Sequence, residues 1–195
     1  AVELLRKAGA KTMQKRAGRA TESGRIAVYA GFDAGAGGIV ELQCETAPVA
    51  NSQEFVQLAN DLARQLAVGP GAASPDELLS QPSPGKPGQT LKEQFDDLTN
   101  RIREAFNLKR MARIEGPCGG YAHHNAAAGV ILHVEGGSEE LARDVCMHIA
   151  AMRPAVVNQE DLDPAEVDKE REILLEAARK AGKPEKLQGA CSISR

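Results

Sequence analysis

The chain has 195 residues, 42% hydrophobic and 26% charged, with a net charge of −3. That length and balance suit one or two compact units, and they exclude a disordered or strongly cationic chain that nucleic acid or an anionic membrane would attract. Trp is absent and aromatics make up 3%, so the cores must be built from Ala, Val, Ile and Leu.

Residues 1–23 read as a basic helix carrying Lys7, Lys11, Lys15, Arg16 and Arg19, interrupted by Gly9 and ended by Gly24. Such a charged stretch more often solvates than binds, and its alternative use is to face an acidic partner. Its opening has no signal-peptide pattern, and no apolar run in the chain approaches the ~20 residues of a membrane span. Arg25 to Phe32 and Gly38 to Glu45 then form a hairpin around the glycine-rich turn. The string GAGG leads into a strand, with no Lys-Ser or Lys-Thr after it, so it is a turn and not a phosphate loop.

Thr46 to Ser52 link this strand to a helix that Asn51 or Ser52 can cap, with Phe55, Leu58, Leu62 and Leu66 as its core stripe. From Gly69 to Gln89, five prolines with Gly and Ser read as an exposed excursion containing a short helix at PDELLS. Thr90 caps a helix with Leu91, Phe95, Leu98, Ile102 and Phe106 at helical spacing. Lys109 to Gly116 is a strand, YAHHNAAA a polar turn region, and GVILHVEGG a strand that leads to the helix SEELARDVCMHIAAM. A short strand AVVN precedes a last, highly charged helix from Pro164 to Ala181, and the tail is short and polar.

Two stretches, Gly24–Ala67 and Lys109–Met152, therefore share one order of strand, turn, strand and helix. A hairpin with one amphipathic helix covers a single sheet face, so the fold class is α+β, with two small antiparallel-sheet-plus-helix subdomains related by a quasi-repeat. The expected divisions are residues 1–23 for the basic helix, 24–88 for the first subdomain with the Pro-rich excursion, 89–187 for the second, and 188–195 for a loose tail.

Chemical constellations are sparse. Cys44, Cys118, Cys146 and Cys191 are far apart with no C-x-x-C, which fits reduced thiols in a cytoplasm. Cys118, His123, His124 and His133 do not have the ligand spacing of a zinc site, so no metal is expected. Cys44 at a strand end reads as a small buried apolar residue more readily than as a nucleophile. No G-x-S-x-G elbow is present. No catalytic residue and no cofactor is expected.

The strings LRKAG, KRAGRATESGRIAVY, GGIVELQCET, VANSQEF, LKRMARIEG, YAHHN, AGVILHVEGG, EELARDVCMHIAAMRP and VDKEREILLEAARKAGKPEK succeed one another in an order and spacing that resemble translation elongation factor Ts. That family is the nucleotide-exchange factor of elongation factor Tu, and its fold is two α+β subdomains with a quasi-repeat. The resemblance implies a cytoplasmic protein that binds elongation factor Tu, GDP-bound or nucleotide-free, and promotes exchange of GDP for GTP without bond chemistry of its own. It implies no direct contact with nucleic acid or membrane. It places the partner-facing positions at Arg16, at Thr46, Ala47, Pro48 and Val49, at Ile102 and at His124.

The chain departs from the family pattern at three places. Of the family's small ubiquitin-associated-like domain, something like the last helix would remain, around Val2 to Lys7. After Leu187 the pattern is left. The first interface loop usually reads Thr-Asp-Phe-Val in the family, where Asp and Phe help to disturb the partner's magnesium and phosphate site; here it reads Thr46-Ala47-Pro48-Val49. That change implies retained binding with weakened exchange. Two alternatives stay open: a regulatory relative that holds elongation factor Tu without exchange, and a small α+β enzyme.

Overall fold

A computed structural model of the chain describes residues 18–181. They fall into two units divided between Met152 and Arg153.

In the first unit, β1 (Ser23–Tyr29) and β2 (Ala36–Cys44) form an antiparallel hairpin with Ser23 opposite Cys44. The burial of β2 alternates. Val40, Leu42 and Cys44 face one side and are buried, while Ile39, Glu41 and Gln43 face the other and are half-buried. A single helical turn, α1 (Ala47–Ala50), and the long helix α2 (Gln53–Val68) come next. The Ser52 hydroxyl caps α2 by accepting from the Phe55 N–H. Phe55, Leu58, Leu62 and Leu66 are all buried against the sheet, as the stripe required. The close seat depends on Gly38, where a Cβ would lie 2.5 Å from the Ala63 carbonyl oxygen of α2.

The Pro-rich segment is exposed over most of its length, as expected, but part of it packs inward. Its short helix α3 (Pro75–Leu79) buries Leu78 and Leu79. Gln81 and Ser83 are buried polar residues, each hydrogen-bonded: the Gln81 amide donates to the Gly71 carbonyl at 2.6 Å, and the Ser83 hydroxyl to Gln94 Oε1 at 2.6 Å. Gln94 in turn donates to the buried Asp61 carboxylate at 2.9 Å, which also accepts from Gln57 at 2.9 Å. Satisfied polar groups let this part of an otherwise exposed segment be covered.

Helix α4 (Leu91–Ile102) opens on a Thr90–Glu93 capping box and ends with Arg103 in the left-handed region, φ 66°. Strand β3 (Phe106–Glu115) then pairs antiparallel with β2, from Cys44 opposite Phe106 to Ala36 opposite Glu115. It completes a sheet of order β1-β2-β3. This differs from the expectation that Lys109–Gly116 opens a second hairpin. The buried strand β2 has two hydrogen-bonding edges to satisfy, and β3 fills the second. Gly116 at φ +89° and Pro117 then end the strand.

The second hairpin comes later, as β4 (Cys118–Ala122) and β5 (Gly129–His133), and part of the stretch expected to be turn is therefore strand. Helix α5 (Glu139–Met152) starts at Ser138, whose hydroxyl accepts from the Leu141 N–H at 3.2 Å. The quasi-repeat thus survives as hairpin plus helix, with β3 moved into the first sheet. Glycines set the spacing of these layers. A Cβ on Gly119 would lie 2.7 Å from the Ala142 Cβ of α5, and one on Gly120 would lie 2.7 Å from the Ala30 Cβ at the end of β1. The β4–β5 ribbon therefore lies between the first sheet and α5.

In the second unit, residues 155–158 form no strand, contrary to the reading of AVVN. The last helix, α6 (Pro164–Lys180), has Pro164 in its first turn and Asp163 as its cap, accepting from the Ala165 N–H at 2.9 Å. Among the described residues no helix is long and apolar enough to cross a membrane.

Candidate partner-binding surface

The turn Thr46–Ala50 leaves the end of β2 directly after the buried Cys44. Thr46, Ala47 and Pro48 are exposed, Val49 is half-buried against the core, and Ala50 is buried. Pro48, which lacks an N–H, is tolerated in this helical turn because it sits in the first turn, where that donor has no intrahelical acceptor. The Ala50 N–H donates to the Thr46 carbonyl at 3.1 Å, and the Asn51 side-chain amide donates to the Ala47 carbonyl at 2.9 Å.

Tertiary contacts fasten this turn on several sides. Glu104, at the junction of α4 and β3, accepts the Thr46 N–H at 3.1 Å and the Thr46 hydroxyl at 2.6 Å. Glu45 accepts the Ala105 N–H at 2.7 Å and the Arg19 guanidinium at 3.2 Å. Arg25 of β1 donates to the Ala50 carbonyl at 3.1 Å. Beneath the turn, the Cys44 thiol donates to the Thr46 carbonyl at 3.3 Å. Burial, with the nearby Glu104 carboxylate adding to it, pushes that thiol up to about 11, which favours the protonated form packed beneath the turn.

Ile102 ends α4 two residues before Glu104 and packs half-buried against the same core as Val49. The Glu104–Thr46 bonds therefore bring Ile102 and the turn to one end of the first sheet. His124 is exposed on the β4–β5 turn. That turn reaches the first sheet through Ile26, whose N–H donates to the Ala126 carbonyl at 2.7 Å. Ile26 lies three residues along β1 from Ser23, which pairs with Cys44. Arg16 lies outside the described residues.

The remaining polar side chains of the β4–β5 turn are engaged locally. His123 Nδ1 shares a 2.8 Å hydrogen bond with the Tyr121 hydroxyl, and its ring lies 4.2 Å from that of His124. His133 Nδ1 is 2.8 Å from the Glu115 carbonyl oxygen, and Cys118 is buried with its thiol on the Gly116 carbonyl at 2.9 Å. Among the described residues no group of three or more His, Cys, Asp or Glu is placed to hold a metal ion.

Reading the sequence missed Glu45 and Glu104. Nothing local marks either as special, because their partners lie 60 and 58 residues away. The nearest signal is a strand end and a helix end, each carrying an acidic residue beside a turn.

Comparison with known proteins gives this arrangement its context. The family model for elongation factor TS matches residues 45–191. The chain is 35% identical over 187 residues to an elongation factor Ts from Thioalkalivibrio sulfidiphilus, covering 94% of this chain and 62% of that protein. It is 36% identical over 189 residues to one from Alkalilimnicola ehrlichii, covering 96% and 63%. With one from Ruegeria it shares 36% over 193 residues, covering 96% and 64%. The chain thus spans somewhat less than two thirds of the length of these relatives. By the family match and by these identities, the chain belongs to the elongation factor Ts family.

Proposed function

We propose that this chain binds elongation factor Tu in the cytoplasm and promotes release of its GDP, with weaker exchange than a Thr-Asp-Phe-Val loop would give. Family membership supports the partner. The observation that carries the reading is the exposed Thr46–Pro48 turn, held on a fixed platform at the end of the first sheet. Nucleotide release needs a protein ligand with higher affinity for the nucleotide-free state than for the GDP-bound state, and that requires no bond chemistry. A held turn such as this one lowers the entropy cost of docking, and exchange requires that its contacts form only once the nucleotide has left. Ile102 and His124 extend the proposed contact along the same protein, and Arg16 would add a charge.

A second reading is favoured by the turn's own chemistry. Ala47 offers no carboxylate and Pro48 no aromatic ring, so a binder that holds the partner without releasing nucleotide is the specific rival. Isothermal titration separates them. The exchange reading expects tighter binding to the nucleotide-free partner than to the GDP-bound one, each tenfold ratio being about 1.4 kcal/mol of coupling. Equal affinities would leave only the holding role.

A further inference from the structure

We propose that Glu104 is a positioning residue for exchange, working with Glu45 as a reciprocal carboxylate clamp that sets the partner-facing turn; this rests on the exchange reading above. The two acids cross the junction in opposite directions. Glu45, just after β2, accepts from the Ala105 backbone, and Glu104, just before β3, accepts from the Thr46 backbone. Each carboxylate thus caps the other segment's N–H. Glu104 also takes the Thr46 hydroxyl at 2.6 Å, the short distance of a charge-assisted bond. The backbone is arranged for this. Arg103 holds a left-handed conformation, φ 66°, immediately before Glu104. Such a conformation in a non-glycine residue persists where the surroundings over-determine it.

The consequence is specific to the turn. Val49 and Ala50 are anchored by packing, but Thr46 to Pro48 are exposed and have no packing of their own to fix their direction. Their aim comes from hydrogen bonds, of which Glu104 supplies two. Loss of Glu104 should therefore loosen the turn and leave the core intact. In the complex, the contacts at Ile102 and His124 would still hold the partner, so the loss should appear in the maximal release rate more than in half-saturation.

The test compares the parent chain with Glu104→Ala, Glu104→Gln and Thr46→Val. Amide hydrogen exchange over residues 46–51 is read alongside release of a fluorescent GDP from elongation factor Tu. In Glu104→Ala the turn amides should exchange about tenfold faster, and the maximal release rate should fall about fivefold, with less than a twofold change in half-saturating concentration. Glu104→Gln keeps one acceptor oxygen and should recover part of both. Thr46→Val removes only the hydroxyl bond, and should show a smaller loss of the same kind should Glu104→Ala fail to fold. Unchanged turn protection in the Ala variant would overturn the clamp. A loosened turn with an unchanged release rate would overturn the positioning role. A parent that binds the partner without accelerating release defeats the exchange reading instead. Turn protection then decides the clamp: faster exchange over residues 46–51 in Glu104→Ala supports it, and unchanged exchange overturns it. A parent that does not bind overturns both.

Discussion

Helices α2 and α5 occupy equivalent places in the two halves of the quasi-repeat, yet they are held by different means. Helix α2 buries Phe55, Leu58, Leu62 and Leu66 in a continuous core with Val40 and Leu42 of the sheet. Helix α5 buries only Ala142 and Cys146, while Leu141 is 57% and Val145 40% exposed. The first contact is made by large side chains filling volume. The second is made by small residues that let backbones approach, as Gly119 shows against Ala142. A similar pattern of strand, strand and helix therefore does not imply a similar distribution of stability. The proposed exchange turn sits on the firmly packed layer, where a fixed direction is easiest to keep.

The contrast between the two helices is most exposed to test in the α2 layer. Leu62→Ala, within α2, should cost about 3 kcal/mol of unfolding free energy, since it removes a fully buried side chain from a packed site. Urea denaturation followed by circular dichroism would measure it. A loss below about 1 kcal/mol would mean that the α2 layer is no tighter than the α5 layer. At α5 the sensitive position should be the glycine, not the leucine. Gly119→Val places atoms where Ala142 already stands and should cost about 2 kcal/mol by overpacking.

The turn itself offers a gain instead of a loss. Ala47→Asp with Pro48→Phe supplies the carboxylate and the ring that the family loop carries, and should raise the GDP-release rate about tenfold, equivalent to about 1.4 kcal/mol. Stability should change little, because both positions are exposed. A normally folded variant releasing GDP no faster than the parent would exclude the turn as the exchange element. The smallest mutational effect should be Val145→Ala on α5, within about 0.5 kcal/mol.

A pH experiment refines the description of the platform. The Cys44 thiol is raised from 9.0 to about 11, first by burial and then by Glu104. The folded chain keeps this proton while the unfolded chain loses it. The resulting stability is present below about pH 9 and is lost as pH rises toward about 11. The melting temperature should therefore fall less steeply over that window in Cys44→Ala than in the parent. Parallel profiles would show that Cys44 is not the group responsible.

Much of the fold was legible because its signals were local. The α2 stripe, the Thr90 cap, the PDELL helix and Pro164 opening α6 each rest on spacing or capping chemistry within a few residues. The illegible part depended on distant partners. Strand β3 looks the same in sequence whether it pairs with β2 or with the strand after it, and only the open edge of β2 decides. The inward-packed part of the Pro-rich segment was not readable, because the burial of Ser83 depends on Asp61 and Gln94, which no local pattern links to it. At the proposed surface, the turn was singled out by the family resemblance. The carboxylates that aim it were not, because a glutamate beside a turn carries no mark of its partner.

Whether this chain drives GDP from elongation factor Tu is tested most directly by stopped-flow fluorescence. Elongation factor Tu is loaded with a fluorescent GDP and mixed with excess unlabelled nucleotide and increasing amounts of this chain. The release rate should rise with concentration to a plateau above the spontaneous rate, and catalytic amounts should suffice to empty the whole pool. A release rate that stays at the spontaneous value at every concentration, in a mixture where the complex demonstrably forms, would contradict the exchange role.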